Sequence, residues 1–583
     1  MESSRASAPS RAAFGLLELG LLLITPLAFY RGFPDQFSYI KLILTEGIVL
    51  LAAVGIVVDL VWNRRHCPTG SPLAAPLALL TLAVLLSCFV SPLPTFSLLE
   101  AQYFLCGPLW LVVLISRAGG EARMRWLAGL VAVAGTAVAA IALLQWAGHD
   151  PLLFGGYQVE WGRMRAAMRL YSTFGNPNLV AGYLIGAIFL AFALTAGVES
   201  RWAKILCVAS VVAIFAAIIG TRSRGAWLGL AAGLLVARGF WARKGEEAAE
   251  FKSPPNGGIL TVCTLPLALL MLFPNFVEQG RILLVHVEGR SFLWRASWPM
   301  FAEQPLLGSG WGMFQLRFLE LQAQFLRLQP EYVQYWTHTR LLHNDPLQIL
   351  LESGALGFVA LGWLLWSFAR ELRQAKTRAS RTGRLWLAAS AGGVTAILVN
   401  SLFNFQLAVP PTLILLFTLL AVPQLLKAHD PNGPGAKADR NLNIVSRGLV
   451  SALVFGAALF LASGIARRAQ AEHSLGLGLA EERRGGMTKA EQYFRGGLAR
   501  APDDGRLHYG LARALYVQEQ YPAALAEALK AERTMADSHL EVLKARIQDQ
   551  MGYRSPALEA YRHALWLDPT LKSVRADIER LSR

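Results

Sequence analysis

Long apolar runs separated by polar segments dominate this sequence of 583 residues. Each run is about 17 to 25 residues long, which is enough for a helix to cross a hydrocarbon core of roughly 30 Å. Because a segment inside a membrane must satisfy its own backbone hydrogen bonds, each run predicts a helix. The thirteen runs lie near 13–30, 40–62, 73–90, 98–116, 125–147, 178–197, 203–220, 224–241, 257–274, 346–369, 384–407, 409–426 and 447–466.

The charges between the runs alternate and so orient the predicted helices. Basic residues collect in the N-terminus and in every second loop, and cytoplasmic loops of membrane proteins are enriched in lysine and arginine. The short loops at 91–97 and 406–411, on the opposite side, carry no charge. This pattern places the N-terminus in the cytoplasm, and thirteen spans then place the C-terminus outside it. Arg467 and Arg468, just after the last run, argue against that second placement.

The composition supports a membrane protein with a smaller soluble part. Only 16% of the residues are charged and 54% are hydrophobic, whereas soluble domains have about 25% charged residues. The formal net charge of +16 fits basic cytoplasmic loops and anionic lipid better than nucleic acid. The five cysteines form neither a disulfide framework nor a zinc-site spacing.

Three outer segments depart from the charge rule. They hold Arg163, Arg165 and Arg169 in the 148–177 loop, Arg222 and Arg224 in the 220–224 loop, and Arg290 among others in the 275–345 loop. Arginine at a helix mouth is usually functional. For any one of these arginines, its position is explained equally well if the side chain extends to the membrane interface by snorkelling. Arg224 has less room to do so, because its loop is so short.

His343 stands where the long 275–345 loop meets an apolar helix. Histidine changes its charge near neutral pH, so His343 is a candidate general base or acid. Taken alone, it also reads as a helix-capping or interfacial residue. Gly354 and Gly357 follow, and we expect them to let helices approach closely, as small residues do in membranes.

The second half of the outer loop has a helical period. Between Met313 and Trp336, phenylalanine and leucine alternate with polar residues at a broadly helical spacing. This predicts an amphipathic helix that lies on the outer leaflet or packs over the helix mouths. The same pattern is compatible with the core of a folded lid.

Four short motifs carry a family resemblance. They are Ser-Thr-Phe-Gly-Asn-Pro-Asn-Leu with Ala-Gly-Tyr (172–183), Thr-Arg-Ser-Arg-Gly-Ala-Trp (221–227), Gly-Arg through Gly-Ser-Gly-Trp-Gly-x-Phe (289–314), and His-Asn-x9-Gly-x2-Gly (343–357). In this order, and all on the predicted outer face, they resemble the bacterial O-antigen ligase superfamily. The resemblance covers roughly residues 10–430. That superfamily also includes Wzy-type O-antigen polymerases and pilin O-oligosaccharyltransferases.

The resemblance implies a membrane glycosyltransferase of the cell envelope, with a role such as lipopolysaccharide biosynthesis. Such enzymes move a glycan from undecaprenyl diphosphate to an acceptor hydroxyl at the periplasmic face of the inner membrane. The implied partners are that donor, membrane lipid, and an acceptor that is lipid A-core, another glycan or a protein. The family works without a metal, and we expect no cofactor and no nucleic acid.

The resemblance also assigns roles to residues. Arg224 and Arg290 match the family's essential arginines, which suit a diphosphate because guanidinium groups donate paired hydrogen bonds to phosphate oxygens. His343 matches the essential histidine. Independently of the resemblance, Asp345 follows the His343-Asn344 pair and is a candidate to orient the imidazole. The predicted substrate-binding residues are Arg222, whose role is not separable from that of Arg224 at this stage, and Asn176, Asn344 and Arg169.

After the last apolar run the sequence repeats. Ala490-x3-Phe494-x7-Pro502 recurs in degenerate form at Ala524 and again at Ala557, with periods of 34 and 33 residues. This is the period of tetratricopeptide repeats, which are helix–turn–helix units. We therefore predict an all-α protein. Residues 1–470 form a bundle of about 12 or 13 transmembrane helices, and residues 471–583 form a small repeat solenoid.

Two alternatives stay open at this stage. The membrane part could be a non-catalytic transporter of lipid-linked glycans, but the sequence lacks the two-fold internal repeat that many transporters have. The repeat domain could recruit a protein partner or present an acceptor, or it could be a passive appendage.

Overall fold

The computed structural model describes residues 8–62, 71–117, 119–153, 170–241, 276–427 and 444–583. Within these ranges every regular element is helical, as predicted. In the first part the helices are α1 (Ala8–Leu19, continued by a π turn at Gly20–Ile24 and by Thr25–Leu27), α2 (Ser38–Trp62), α3 (Ala74–Val90), α4 (Pro94–Ile115), α5 (Glu121–Trp146), α6 (Pro177–Ala196), α7 (Arg201–Gly220) and α8 (Arg224–Trp241). They are followed by α9 (Phe276–Glu303), α10 (Phe314–Leu328), α11 (Asp345–Arg378), α12 (Arg381–Ser401), α13 (Pro410–Leu425) and α14 (Ile444–Arg483). The chain ends with α15 (Met487–Leu498), α16 (Gly505–Val517), α17 (Tyr521–Ala531), α18 (Ser538–Gln550), α19 (Arg554–Leu567) and α20 (Lys572–Ser582).

The described residues contain eight helices that are long and apolar enough to cross a membrane, and three shorter apolar helices at Ala12–Leu27, Ala74–Val90 and Pro410–Leu425. These account for eleven of the thirteen predicted spans. The predicted 224–241 span is the helix α8, but it is not among those eleven. The predicted 257–274 span lies outside the described residues.

The centre of the bundle is formed by α6, α12 and α13. Almost every residue of α6 and α13 is buried, and α12 packs along both α6 and α8. Small residues allow these approaches: a Cβ on Gly233 of α8 would lie 2.4 Å from the Gly392 carbonyl oxygen of α12. One end of the bundle brings together the starts of α6, α8 and α11 and the end of α12.

Helix α11 is broken at Gly354, which has φ +66° and ψ −171°. The backbone groups released by the break are bonded by the loop after α9. Ala355 N–H donates to Pro305 O at 2.8 Å, and Gly310 N–H donates to Glu352 O at 3.1 Å. A Cβ on Gly354 would lie 2.3 Å from Leu306 O. The glycine therefore accommodates the loop after α9, and the expectation that Gly354 lets two helices approach closely is wrong.

The segment from α9 to the start of α11 folds into a lid with its own small core. Helix α10 is confirmed over Phe314–Leu328, and it ends before Trp336 because Pro330–Tyr335 forms a short 3-10 turn. Phe292 of α9 packs against Phe325 and Tyr332, with ring centroids 5.5 and 6.2 Å apart. The folded lid core is therefore observed, and the position of α10 on the outer leaflet stays a prediction.

The C-terminal part is a stack of antiparallel helix pairs. The helices α15, α17 and α19 begin at Met487, Tyr521 and Arg554, which are 34 and 33 residues apart, and each packs against its neighbours in the chain. This is the geometry that the repeat period predicts, and the tetratricopeptide assignment stays a prediction. The first helix of the stack is the end of α14, which runs without a break through the predicted domain boundary at 470/471.

The helix stack docks on the lid. The indole Nε1 of Trp336 donates to Leu567 O at 2.9 Å, and Leu319 and Ala323 of α10 share a buried apolar cluster with Leu567. At the other end of the stack, Arg468 is paired with the buried Glu46 of α2 at 2.6 Å. The stack therefore lies on the same face of the bundle as the lid.

Candidate functional site

The three residues with predicted catalytic roles come from different segments. Arg224 is the first residue of α8, Arg290 lies within α9, and His343 precedes α11 by two residues. A fourth segment, residues 400–408 at the end of α12 and before α13, lies between them. We call it the 400–408 hub.

Two aromatic rings of the hub hold Arg290 and His343. The ring of Phe405 lies 4.8 Å from the imidazole of His343, centroid to centroid, at an interplanar angle of 72°. The guanidinium carbon of Arg290 lies 5.9 Å from the ring centroid of Phe403, within the range of a cation–π contact. The side chains of Arg290 and His343 thus contact two hub residues, Phe403 and Phe405, that are two positions apart.

The start of α8 packs directly on the hub. A Cβ on Gly225 would lie 2.8 Å from Oδ1 of Asn400 and 3.0 Å from Nδ2 of Asn404. These two amides are bonded to each other at 2.7 Å and are buried. Glycine after Arg224 therefore lets the helix begin against the hub, and the exposed Arg224 side chain projects from that point.

Charge couples the three residues. Burial lowers the pKa of Arg290, and the positive charge of Arg224 lowers it further. Burial lowers the pKa of His343 to about 4, and the positive charge of Arg290 adds to this effect. The imidazole is therefore neutral near pH 7, which is the form that can accept a proton.

His343 is held in an uncommon backbone conformation. Its φ is +57°, in the left-handed region that side-chain-bearing residues rarely adopt and that often marks functional sites. Within the described part of the chain neither ring nitrogen has a hydrogen-bond partner, so the imidazole is available to a substrate. The next residue, Asn344, caps α11, because its Oδ1 accepts from Leu347 N–H at 2.9 Å.

Asp345 does not orient the imidazole, contrary to the expectation from the sequence. Its carboxylate is buried and accepts a hydrogen bond from Leu407 N–H at 3.0 Å. It therefore ties the start of α11, and with it His343, to the hub.

The remaining predicted substrate-binding residues differ in their positions. Arg222 lies in the turn before α8 with φ +54° and an exposed side chain. Of these two neighbouring arginines, Arg224 is the one whose positive charge lowers the pKa of Arg290. Asn176 caps α6, since its Oδ1 accepts from Asn178 N–H at 2.8 Å. Arg169 lies outside the described residues.

Sequence reasoning missed the hub. Its residues, from Asn400 to Ala408, appeared only as the end of an apolar run and an uncharged loop. The available signal was the cluster Asn400-Ser-Leu-Phe-Asn-Phe-Gln406, because amides and aromatic rings at a helix end are not needed merely to cross a membrane.

The hub also secures the start of α6. Gln406 Nε2 donates to Asn178 O at 3.4 Å, and a Cβ on Gly182 would lie 1.7 Å from Oε1 of Gln406. The glycine of the 172–183 motif is thus required for this contact, and the motif belongs to the same end of the bundle as His343.

Residues 208–362 match the family model described as O-Antigen ligase. The matched segment contains Arg224, Arg290, His343 and the two glycines after it, but neither Asn176 nor the hub. No curated protein matches the chain. This similarity over residues 208–362 supports the O-antigen ligase superfamily and agrees with a membrane enzyme of the ligase or polymerase type.

Proposed function

We propose that this protein transfers a glycan from an undecaprenyl-diphosphate-linked donor to an acceptor hydroxyl at the periplasmic face of the bacterial inner membrane. The observation that carries the proposal is the convergence of Arg224, Arg290 and a neutral His343 on one hub at one end of the bundle. Such a transfer needs cations for the diphosphate and a base, and the imidazole of His343 has no hydrogen-bond partner among the residues that the structure describes.

The arginines suit the leaving group. Arg224 and Arg290 lie close enough for the charge of one to lower the pKa of the other, and this unfavourable pairing is relieved when an anion binds between them. A diphosphate carries negative charge that grows as its bond to the sugar breaks. Fixed guanidinium groups stabilise that growing charge more than the ground state, which lowers the barrier.

His343 serves as the base in this scheme. The proton of the acceptor hydroxyl passes to the imidazole while the acceptor oxygen forms a bond to the anomeric carbon of the glycan. The bond between that carbon and the diphosphate oxygen breaks, and its electron pair leaves with the diphosphate. The anionic donor would also raise the pKa of His343 in the complex, which helps it to hold the proton.

A non-catalytic transporter of lipid-linked glycans is less well supported. Transporters bind their substrates near the middle of the membrane, whereas these side chains lie at helix ends and in the lid. Within the superfamily, an O-antigen polymerase or a protein O-oligosaccharyltransferase would use the same base and arginines. The helix stack, on the same face as the lid, would recruit a partner or present the acceptor.

Deletion of the gene in the source bacterium, followed by gel analysis, tests the activity and separates these alternatives. Loss of polymer attached to lipid A-core indicates a ligase, loss of long chains indicates a polymerase, and loss of glycoprotein bands indicates a protein acceptor. Restoration by the wild-type gene, but not by one encoding His343→Ala, would link the effect to this site. Unchanged lipopolysaccharide, free polymer and glycoproteins in the deletion strain would contradict the proposal.

A further inference from the structure

A cavity of about 340 Å³ lies beside the catalytic histidine. It shares Phe405 with the His343 contact described above, and Leu341 and Asp345, two residues to either side of His343, also line it. Among the described residues, Arg224 and Arg290 are not part of its lining. The cavity is thus next to the base but apart from the arginines that we assign to the diphosphate.

The cavity is built in part by the Gly-Ser-Gly-Trp-Gly segment of the lid. Gly310 and Gly312 have φ of +105° and +78°, and a Cβ on Gly312 would lie 2.7 Å from Cβ of Glu100. This path presses the loop against α4 and places the ring of Trp311 4.5 Å from that of Phe104. Both residues line the cavity.

Two polar side chains in the lining have no partner in the described part of the chain. The half-buried carboxylate of Glu100 and the hydroxyl of Tyr103 make no hydrogen bond there. The two cationic side chains of the lining are occupied, since Arg340 donates to Oε1 of Gln315 at 2.7 Å. Lys41 donates to the carbonyl oxygens of Ala28, Phe37 and Thr173.

The lining selects the kind of ligand. It has four carboxyl groups (Asp35, Glu100, Asp345 and Glu352) and two cationic side chains (Lys41 and Arg340), so it disfavours an anion such as a phosphate. Aromatic walls with a few hydrogen-bonding groups, and a volume within the range of roughly 300 to 1,000 Å³, are typical of sites for small polar molecules. A ring that presents hydroxyl groups and apolar C–H faces fits both features.

We propose that this cavity binds a sugar ring of the acceptor, with Glu100 and Tyr103 hydrogen-bonded to its hydroxyl groups and Trp311 against its face. In this position a further hydroxyl of the same glycan can reach His343. That the ring belongs to the acceptor rests on the proposed function, whereas the binding of a sugar does not.

Saturation-transfer NMR on the full chain tests sugar binding without catalysis. The protein is placed in lipid nanodiscs, because maltoside detergents would themselves supply sugar, and the probes are methyl glycosides of glucose, galactose and N-acetylglucosamine. Glu100→Gln and Tyr103→Phe keep the shape of each side chain and remove its charge or hydroxyl. Glu331→Gln, at an exposed position in the 3-10 turn of the lid, is the matched control.

We expect at least one glycoside to bind the wild type and the control equally. Glu100→Gln should bind it about tenfold or more weakly, since a hydrogen bond to a charged group contributes roughly 1.5–3 kcal/mol. Thermal unfolding at the wild-type temperature would show that the variants are folded. If no glycoside binds, or if both variants bind as the wild type does, the cavity is not a sugar site.

Kinetics then identify the source of the ring. An increase in KM for the glycan acceptor, with KM for the lipid-linked donor unchanged, supports the acceptor assignment. An increase for the donor alone would overturn it, and so would an increase only for a serine- or threonine-containing peptide. His343→Ala should keep glycoside binding. If that variant binds the glycoside but transfers normally, the proposed catalytic role fails while the sugar site stands.

Discussion

The pH dependence of transfer should reveal how Arg290 acts on His343. The pKa of His343 is lowered to about 4, first by burial and then by the charge of Arg290. At pH 7 an imidazole with that pKa is protonated in only about one molecule in a thousand. If the neutral ring is the base, kcat/KM of the wild type should stay level from neutral pH down to about 4.5 and fall below that.

Arg290→Gln removes one of the two causes of this shift. Burial of the imidazole remains, so the acid limb of kcat/KM should move upward from about 4 but stay below the ordinary histidine value of about 6.5. The low activity of the variant is sufficient for this experiment, because the measured quantity is the pH at which kcat/KM falls and not the size of kcat/KM. Arg327→Gln, at an exposed site in the same lid, should leave the limb where it is in the wild type.

Acid unfolding has to be separated from titration of the base. Since the pKa of His343 is lower in the folded chain than in the unfolded one, the folded state binds fewer protons between pH 6.5 and 4. Stability from this group is therefore lost as pH falls through that window. Samples held at acid pH and assayed after return to neutrality must recover full activity.

The assay follows consumption of the lipid-linked donor by thin-layer chromatography at several pH values. A wild-type acid limb at or above 6.5, or a limb that does not move in Arg290→Gln, would refute the electrostatic coupling. A rate that rises as pH falls would show that the protonated imidazole is the active form.

Three further predictions concern the anion site, the helix break and the helix stack. Arg224→Lys and Arg290→Lys should each lower kcat by about a hundredfold or more, because a point charge does not replace a planar fork of donors; full activity in both would exclude bidentate phosphate binding. Gly354→Ala should destabilise the protein by about 2 kcal/mol or more through the positive φ and the contact with the lid, whereas Gly362→Ala, where a Cβ meets open space, should not; equal thermal unfolding would contradict this account. Removal of residues 471–583 should make the lid more sensitive to limited proteolysis and lower transfer without abolishing it; an unchanged digestion pattern would mean that the stack does not support the lid.

The sequence predicted most of the helices and singled out three candidate side chains that the structure brings to one hub, because both leave strong patterns. Apolar runs of membrane length predict helices wherever they occur. Arg224 and Arg290 were conspicuous as arginines against the charge rule, and His343 as a histidine at a helix mouth. Their convergence follows from which helix ends meet, and that depends on packing in the interior of the bundle.

Other features could not be predicted because their causes are tertiary. The sequence predicts Gly354 as a helix-packing glycine, because no neighbouring residue indicates that the backbone groups of Pro305 and Gly310 bond to the broken helix. The role of Asp345 is fixed by Leu407, which lies 62 residues away along the chain. The hub was hidden in an uncharged loop, and the partners of Phe403 and Phe405 become visible only after the fold has assembled.

Transfer by His343→Ala in the full-length chain is the measurement that decides whether His343 is the base. Membranes containing equal amounts of wild type, His343→Ala and the control His149→Ala, whose side chain is exposed, are supplied with lipid-linked donor and acceptor. We expect His343→Ala to bind donor like the wild type but to lose transfer by a factor of about a hundred to ten thousand, the range expected for a general base. The control should be fully active. Near-normal transfer by a well-folded His343→Ala protein would contradict this assignment of the base.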